Sequence, residues 1–197
     1  MNQIICYNHY VYTKQLNLNL DNMNNSCEKL RTIVKENFVG LPPTYLGEGT
    51  ETTYAHPYYN VFLYGFDGFY ELYQEIKTML YEVNDFRDQK YYIQCWMNHF
   101  QRGEYMSWHN HWPEEKNWHG YFCVNTEPSV TSYDLENSKI IFDVEDKNNL
   151  LVMSKNHNDY HRTYPWEFDY PRITLAFDII PQAVVKHLKN LNHWVPL

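Results

Sequence analysis

Apolar positions recur at helical spacing in two stretches, both in the first half of the chain. Ser26 to Phe38 carries Leu30, Ile33, Val34 and Phe38 behind a serine suited to an N-cap. Asp67 to Val83 carries Phe69, Leu72, Tyr73, Ile76, Met79, Leu80 and Val83 behind a capping aspartate. Each predicts an amphipathic helix with one face laid on something flat. Elsewhere short runs bounded by Gly, Pro, Asn and Asp predict strands at Tyr59 to Tyr64, Tyr91 to His99, Trp118 to Asn125, Lys139 to Val144, Leu150 to Ser154, His161 to Tyr164 and Arg172 to Ile180. Asn148-Asn149, His157 to Asp159 and Pro165 to Pro171 are expected to be loops. Helices first and short strands afterwards make an α+β, mainly β pattern. So many strands after about residue 90 suit a double-stranded β-helix, a cupin-like jelly roll with the N-terminal helices packed on one sheet. The 197 residues show no seam, so one domain is expected over 1–197, its helical part about 1–88 and its jelly-roll core about 89–182.

One strand carries an unusual load. In PRITLAFDII, period-two alternation puts Ile173, Leu175 and Phe177 on one face and Arg172, Thr174 and Ala176 on the other. A guanidinium on a strand otherwise fit for burial needs a carboxylate, because an unpaired buried charge costs several kcal/mol. The partner is either an acid of the chain, such as Asp178 or Glu167, or a bound dicarboxylic acid held in a fork with Thr174 alongside.

The second concentration of chemistry is GEYMSWHNHWPEEKNWHG, residues 103–120. On extended chain His109 and His111 point the same way and can approach one metal ion from one wall, but such a site needs a third ligand. His157 lies in an expected turn, and His161 opens an extended segment, which makes it the better wall residue. The alternative is structural: one ring stacked on Trp108 or Trp112, the other facing solvent.

Charge and cysteine content narrow the field. A net charge of −8 makes nucleic acid a poor partner. Cys6, Cys27, Cys95 and Cys123 form no C-x-x-C, so reduced and mostly buried thiols are expected rather than a zinc ribbon or a redox motif. The first residues lack the pattern of a signal peptide, and no run reaches the roughly 18 apolar residues of a membrane span. A soluble cytoplasmic protein is the expectation.

Taken in order, His109-Asn110-His111, His161 fifty-two residues after His109, and Arg172-Ile173-Thr174 eleven residues after His161 resemble the iron(II)- and 2-oxoglutarate-dependent oxygenases. Their pattern is H-x-D/E, a distal His, then an Arg often found in R-x-S or R-x-T. The small bacterial and phage members are most similar. Their motifs have counterparts in Trp96-Met97-Asn98, Gly103, His111-Trp112-Pro113, Gly120 to Val124, Leu150 to Ser154, Tyr160 to Thr163 and Arg172 to Phe177, so the resemblance spans roughly residues 90–180.

The resemblance implies Fe(II) held by His109, His111 and His161, 2-oxoglutarate as co-substrate with its far carboxylate on Arg172 and Thr174, and O2 as oxidant. Asn98 and Tyr121 would line the same pocket. The implied activity is oxidative decarboxylation of 2-oxoglutarate coupled to hydroxylation of a peptide side chain, an amino acid or a small metabolite. His111 stands where the family has a carboxylate, which leaves three neutral ligands unless Glu114 or Glu115 takes that place and one histidine moves to the outer shell. Two other readings remain. Gly103, His109, His111, Glu115 and Gly120 follow a cupin motif apart from a short last spacing, and a cupin-type metalloenzyme would use no 2-oxoglutarate. A non-catalytic jelly roll could bind sugar or peptide on its aromatic side chains. Oligomeric state is open.

Overall fold

Two ten-residue strands, β4 (Tyr91–Phe100) and β10 (Arg172–Pro181), pair antiparallel along their whole length and form the spine of the large sheet. The computed structural model describes residues 4–8, 10–37, 51–55, 59–84, 88–111, 116–135, 140–155, 159–188 and 193–197. Strand β5 (Trp118–Asn125) lies on the other side of β10, followed by β8 (Leu150–Lys155), β2 (Val11–Gln15) and β1 (Ile4–Tyr7). The short strands β3 (Glu51–Thr52) and β11 (Val195–Pro196) both pair with β4. A smaller sheet runs β7 (Ile140–Asp146), β6 (Ser129–Leu135), β9 (Asp159–Thr163). Antiparallel sheets packed face to face with helices on one outer face are the double-stranded β-helix expected from the sequence.

The helices cover the outer face of the large sheet. Ile173, Leu175, Phe177 and Ile179 of β10, with Ile93, Cys95 and Met97 of β4, pack against Met23, Cys27 and Leu30 of α1 (Leu20–Asn37) and Leu72, Ile76 and Met79 of α2 (Phe69–Val83). Each large apolar side chain buried here contributes roughly 1.5–3 kcal/mol. Gly120 opposes Phe177 in the β5–β10 register, and a Cβ there would lie 2.5 Å from the Phe177 ring and 2.1 Å from the Val152 carbonyl. The bare backbone at 120 therefore leaves room for the Phe177 ring against the sheet.

Several boundaries differ from expectation. Helix α1 begins at Leu20, where the Asn19 side chain accepts from the Asn22 amide; Ser26 is no cap but a buried side chain whose hydroxyl donates to the Asp67 carbonyl. Helix α2 starts after Gly68, whose φ of 86° only glycine adopts without strain, rather than from Asp67. Tyr59 to Tyr64 is not a strand. The Asn60 side chain caps a 3-10 turn at Val61–Leu63 and itself bonds the Ile93 carbonyl and Cys95 amide, taking the place of the main-chain ladder a strand would have made with β4. Strands β1, β2, β3, β6 and β11, and the short helix α3 (Gln182–Val185), were not expected. All four cysteines are free, Cys6 exposed and the other three buried. Among the described residues no helix is long and apolar enough to cross a membrane.

Candidate metal centre

The register of the large sheet decides which side chains share its inner face. Opposite Arg172 on β10 stands Phe100; opposite Thr174 stand Asn98 and Cys123; opposite Ala176, Trp96 and Tyr121; opposite Asp178, Gln94 and His119. Because side chains alternate, these rows all face the small sheet. The small sheet answers with Tyr133 opposite His161 and Leu135 opposite Asp159.

His109 and His111 reach this space from a segment that runs beside β9. Main-chain bonds tie Met106 to Thr163, and His109 and His161 exchange both amide–carbonyl bonds, at 3.1 and 2.9 Å. The three rings converge: centroids lie 4.1 Å apart for His109–His161, 5.2 Å for His109–His111 and 5.1 Å for His111–His161, and one nitrogen from each lies within 4.8 Å of the others. His161 is buried and the other two are half-buried. A fourth imidazole, His119, stacks on both His111 and His161. His119, Asp159 and His161 form a second group of comparable spacing. The His119 Nε2 to Asp159 Oδ2 contact of 2.8 Å already pairs two of its members, and the Ser154 hydroxyl also donates to Asp159.

Hydrogen bonds turn two of the rings to face a cation. His109 Nδ1 lies 2.8 Å from the Ser107 carbonyl, which can only accept, so the proton sits on Nδ1 and the Nε2 lone pair is free. His111 Nδ1 lies 2.6 Å from Asp178 Oδ1 and is fixed in the same sense; Gln94 donates to the other Asp178 oxygen and receives the Tyr59 hydroxyl. His161 Nδ1 is buried without a hydrogen-bond partner among the described residues. Burial first, then the neighbouring His111, brings His109 down to about 4, and burial with three surrounding imidazoles puts His161 well below its ordinary value. Both are neutral at neutral pH, the state that binds metal.

His111 behaves oppositely. Burial would lower it, but the Asp178 carboxylate holds it above the usual histidine range. Burial would raise Asp178, but His111 and Gln94 hold it below the usual carboxylate range. Without a metal this favours an imidazolium–carboxylate pair; an ion bound at His111 Nε2 would displace that proton and leave the Asp178 charge one hydrogen bond outside the imidazoles, partly making up for the carboxylate the three-histidine set lacks. These residues fit a divalent transition-metal ion. Asp178→Asn is expected to weaken Ni(II) binding about 10- to 100-fold, as removal of such an outer partner does. Calorimetric titration checks this; an unchanged affinity would make Asp178 a packing residue only.

Arg172 has a partner that was not foreseen. Its Nη2 lies 2.9 Å from Asp146 Oδ2 and its Nε donates to Ser129 at 3.2 Å, with the guanidinium over the Phe100 ring. Asp178, offered above as the internal partner, is committed to His111, and Glu167 does not pair with Arg172 either. Asp146 also accepts from Tyr121, Ser129 and Thr131, so its buried carboxylate sits in a cage built by β5, β6 and β10. A narrow cavity of about 60 Å³ nevertheless remains between cage and histidines, lined among others by His109, His161, Asn98, Tyr121, Arg172 and Thr174. A larger groove of about 690 Å³ touches Ser129 and Asp146 but none of the histidines.

The structure therefore brings His109, His111, His161, Arg172, Thr174, Asn98 and Tyr121 around one cavity. His157, Trp112, Glu114 and Glu115 lie outside the described residues. His119, Asp146 and Asp159 were not expected at the site, and Asp178, expected as a partner for Arg172, pairs with His111 instead. The alternation His119, Tyr121, Cys123 and the continuation of Arg172, Thr174, Ala176 to Asp178 were the available signals.

Neither a family model nor a curated protein sequence matches the chain. Solved structures do. A prolyl-4-hydroxylase from Pseudomonas putida superposes with a TM-score of 0.59 at 14% identity, over 87% of this chain and 92% of its own. HygX from Streptomyces hygroscopicus, crystallised with nickel and 2-oxoglutarate bound, gives 0.53 at 13% identity over 83% and 78%. The non-heme alpha-ketoglutarate-dependent epimerase SnoN of nogalamycin biosynthesis gives 0.55 at 6% identity over 86% and 77%. The chain thus has the double-stranded β-helix fold of the 2-oxoglutarate–Fe(II) oxygenases.

Proposed function

We propose that the protein is an iron(II)- and 2-oxoglutarate-dependent oxygenase that hydroxylates a peptide side chain, an amino acid or a small metabolite. The observation that carries this is the convergence of three imidazoles, from two separate segments, at the mouth of a cavity whose other end is lined by Arg172, Thr174 and Asn98. His109, His111 and His161 hold the metal, and Asp178 fixes the His111 ring. Trp96 stacks on His111 from the large sheet and keeps bulk water from that side. Trp108, exposed and covered on one face by the Arg162 guanidinium at 4.7 Å, stands next to His109 on the outer side, where a substrate can approach. Bound there, iron(II) with 2-oxoglutarate and O2 would supply the oxidising power, the 2-oxo acid leaving as succinate and carbon dioxide. The relatives by fold include a prolyl hydroxylase and an epimerase, which supports a 2-oxo-acid-dependent oxidation and leaves its outcome to the substrate pocket.

The test is succinate formation from 2-oxoglutarate by protein supplied with Fe(II), ascorbate and O2, even uncoupled from substrate. Absence of succinate from metal-loaded protein overturns the assignment. A second reading then moves ahead, a cupin-type metalloenzyme that uses no 2-oxo acid. One observation favours it: the Arg172–Asp146 pair gives the guanidinium an internal task and so removes its need for a bound diacid.

A further inference from the structure

Asp146 stands where a ligand's own carboxylate would be expected. If a 2-oxo acid places its keto-acid end at the histidines, its far end must reach the inner part of the cavity, where Arg172, Thr174, Asn98, Tyr121 and Thr131 converge. Two of those donors are already spent. Tyr121 gives its hydroxyl to Asp146 Oδ1 at 2.8 Å, and Thr131 reaches both oxygens, at 3.1 and 3.0 Å. Ser129 adds a further bond at 3.0 Å, and Arg172 closes the cage at 2.9 Å. Both members of the ion pair are buried, at 3% and 0% side-chain exposure, so water screens them little. An arriving second carboxylate meets a guanidinium whose charge is already balanced and an aspartate of its own sign. Arg172 has N–H groups left to donate, so a diacid is admitted but gains little from its second charge.

Resting on the oxygenase assignment above, we propose that Asp146 is the specificity-determining residue for the co-substrate. With Asp146 in its cage the site takes 2-oxo acids with an uncharged far end about as well as it takes 2-oxoglutarate. Asp146 neither touches the metal ligands nor contributes to the outer face under the helices, which confines its effect to the inner end of the cavity.

The experiment is calorimetric titration of the Ni(II)-loaded protein with 2-oxoglutarate and with 2-oxopentanoate, a monoacid of the same carbon count. The wild type is expected to bind the two within about fivefold of each other, and Asp146→Asn to gain at least about tenfold for 2-oxoglutarate with the monoacid nearly unchanged. A wild type that prefers 2-oxoglutarate by more than about fivefold, or a folded Asp146→Asn variant that gains less than about tenfold for it, overturns the inference and leaves the oxygenase assignment standing. Failure of metal-loaded wild type to bind either acid overturns both. Should Asp146→Asn not fold, with Arg172 left unpaired, the wild-type comparison decides alone.

Discussion

Replacing His161 with alanine is expected to abolish metal-dependent turnover while leaving the fold in place. The ring is buried at the meeting point of the cluster, within reach of His109 and His111, and it stacks on His119. On the proposed assignment its removal would open the metal's shell, so Ni(II) affinity should fall by more than the roughly 10- to 100-fold that loss of an outer partner costs. The cost to folding is small by comparison. Nδ1 has no hydrogen-bond partner among the described residues, so that atom gives up no bond, and the main-chain bonds of residue 161 to 109 survive the change. Titration with Ni(II) and a melting curve separate the two effects. Wild-type metal affinity in the variant would remove His161 from the shell and turn attention to His157.

Arg172→Ala is expected to act chiefly on stability, with co-substrate binding a lesser consequence. The change strips the charged partner from a fully buried aspartate and leaves its carboxylate with hydroxyl donors alone. Breaking one half of a buried pair costs about 3–5 kcal/mol. For a chain of this length that lowers the melting temperature by roughly 10 °C. Adding Asp146→Asn in the same protein should restore a good part of the loss, because the double variant buries no unpaired charge. A melting temperature unchanged by Arg172→Ala alone would mean that the guanidinium and Asp146 do not depend on each other.

What the sequence disclosed follows from periodicity. On β10 the split between Ile173, Leu175, Phe177 and Arg172, Thr174, Ala176 was visible because one face packs against helices and the other against a polar interior. The same count, carried two residues further, puts Asp178 on the polar face. It could not have served Arg172, since six residues along one strand span roughly 20 Å. His119 was hidden for another reason. It sits alone between Trp118 and Gly120, and its companions Asp159 and His161 are forty and forty-two residues away, so no local spacing marks it. Strand β6 went unseen because Ser129, Thr131 and Ser132 look like a loop; they face the Asp146 cage or other polar groups rather than a greasy core. Asp146 itself closes β7 just before Asn148-Asn149, where an acid reads as turn material.

The reciprocal main-chain bonds between residues 109 and 161 have a consequence for which ion the cluster accepts. They set the spacing of the two backbones that carry His109 and His161, so an ion held there would need to order little of that pair's main chain. Discrimination among iron, cobalt and nickel would then fall to intrinsic imidazole affinity, which rises in that order and favours iron least. Metal availability, set by the surroundings or by the purification conditions, would then decide which ion such a site holds.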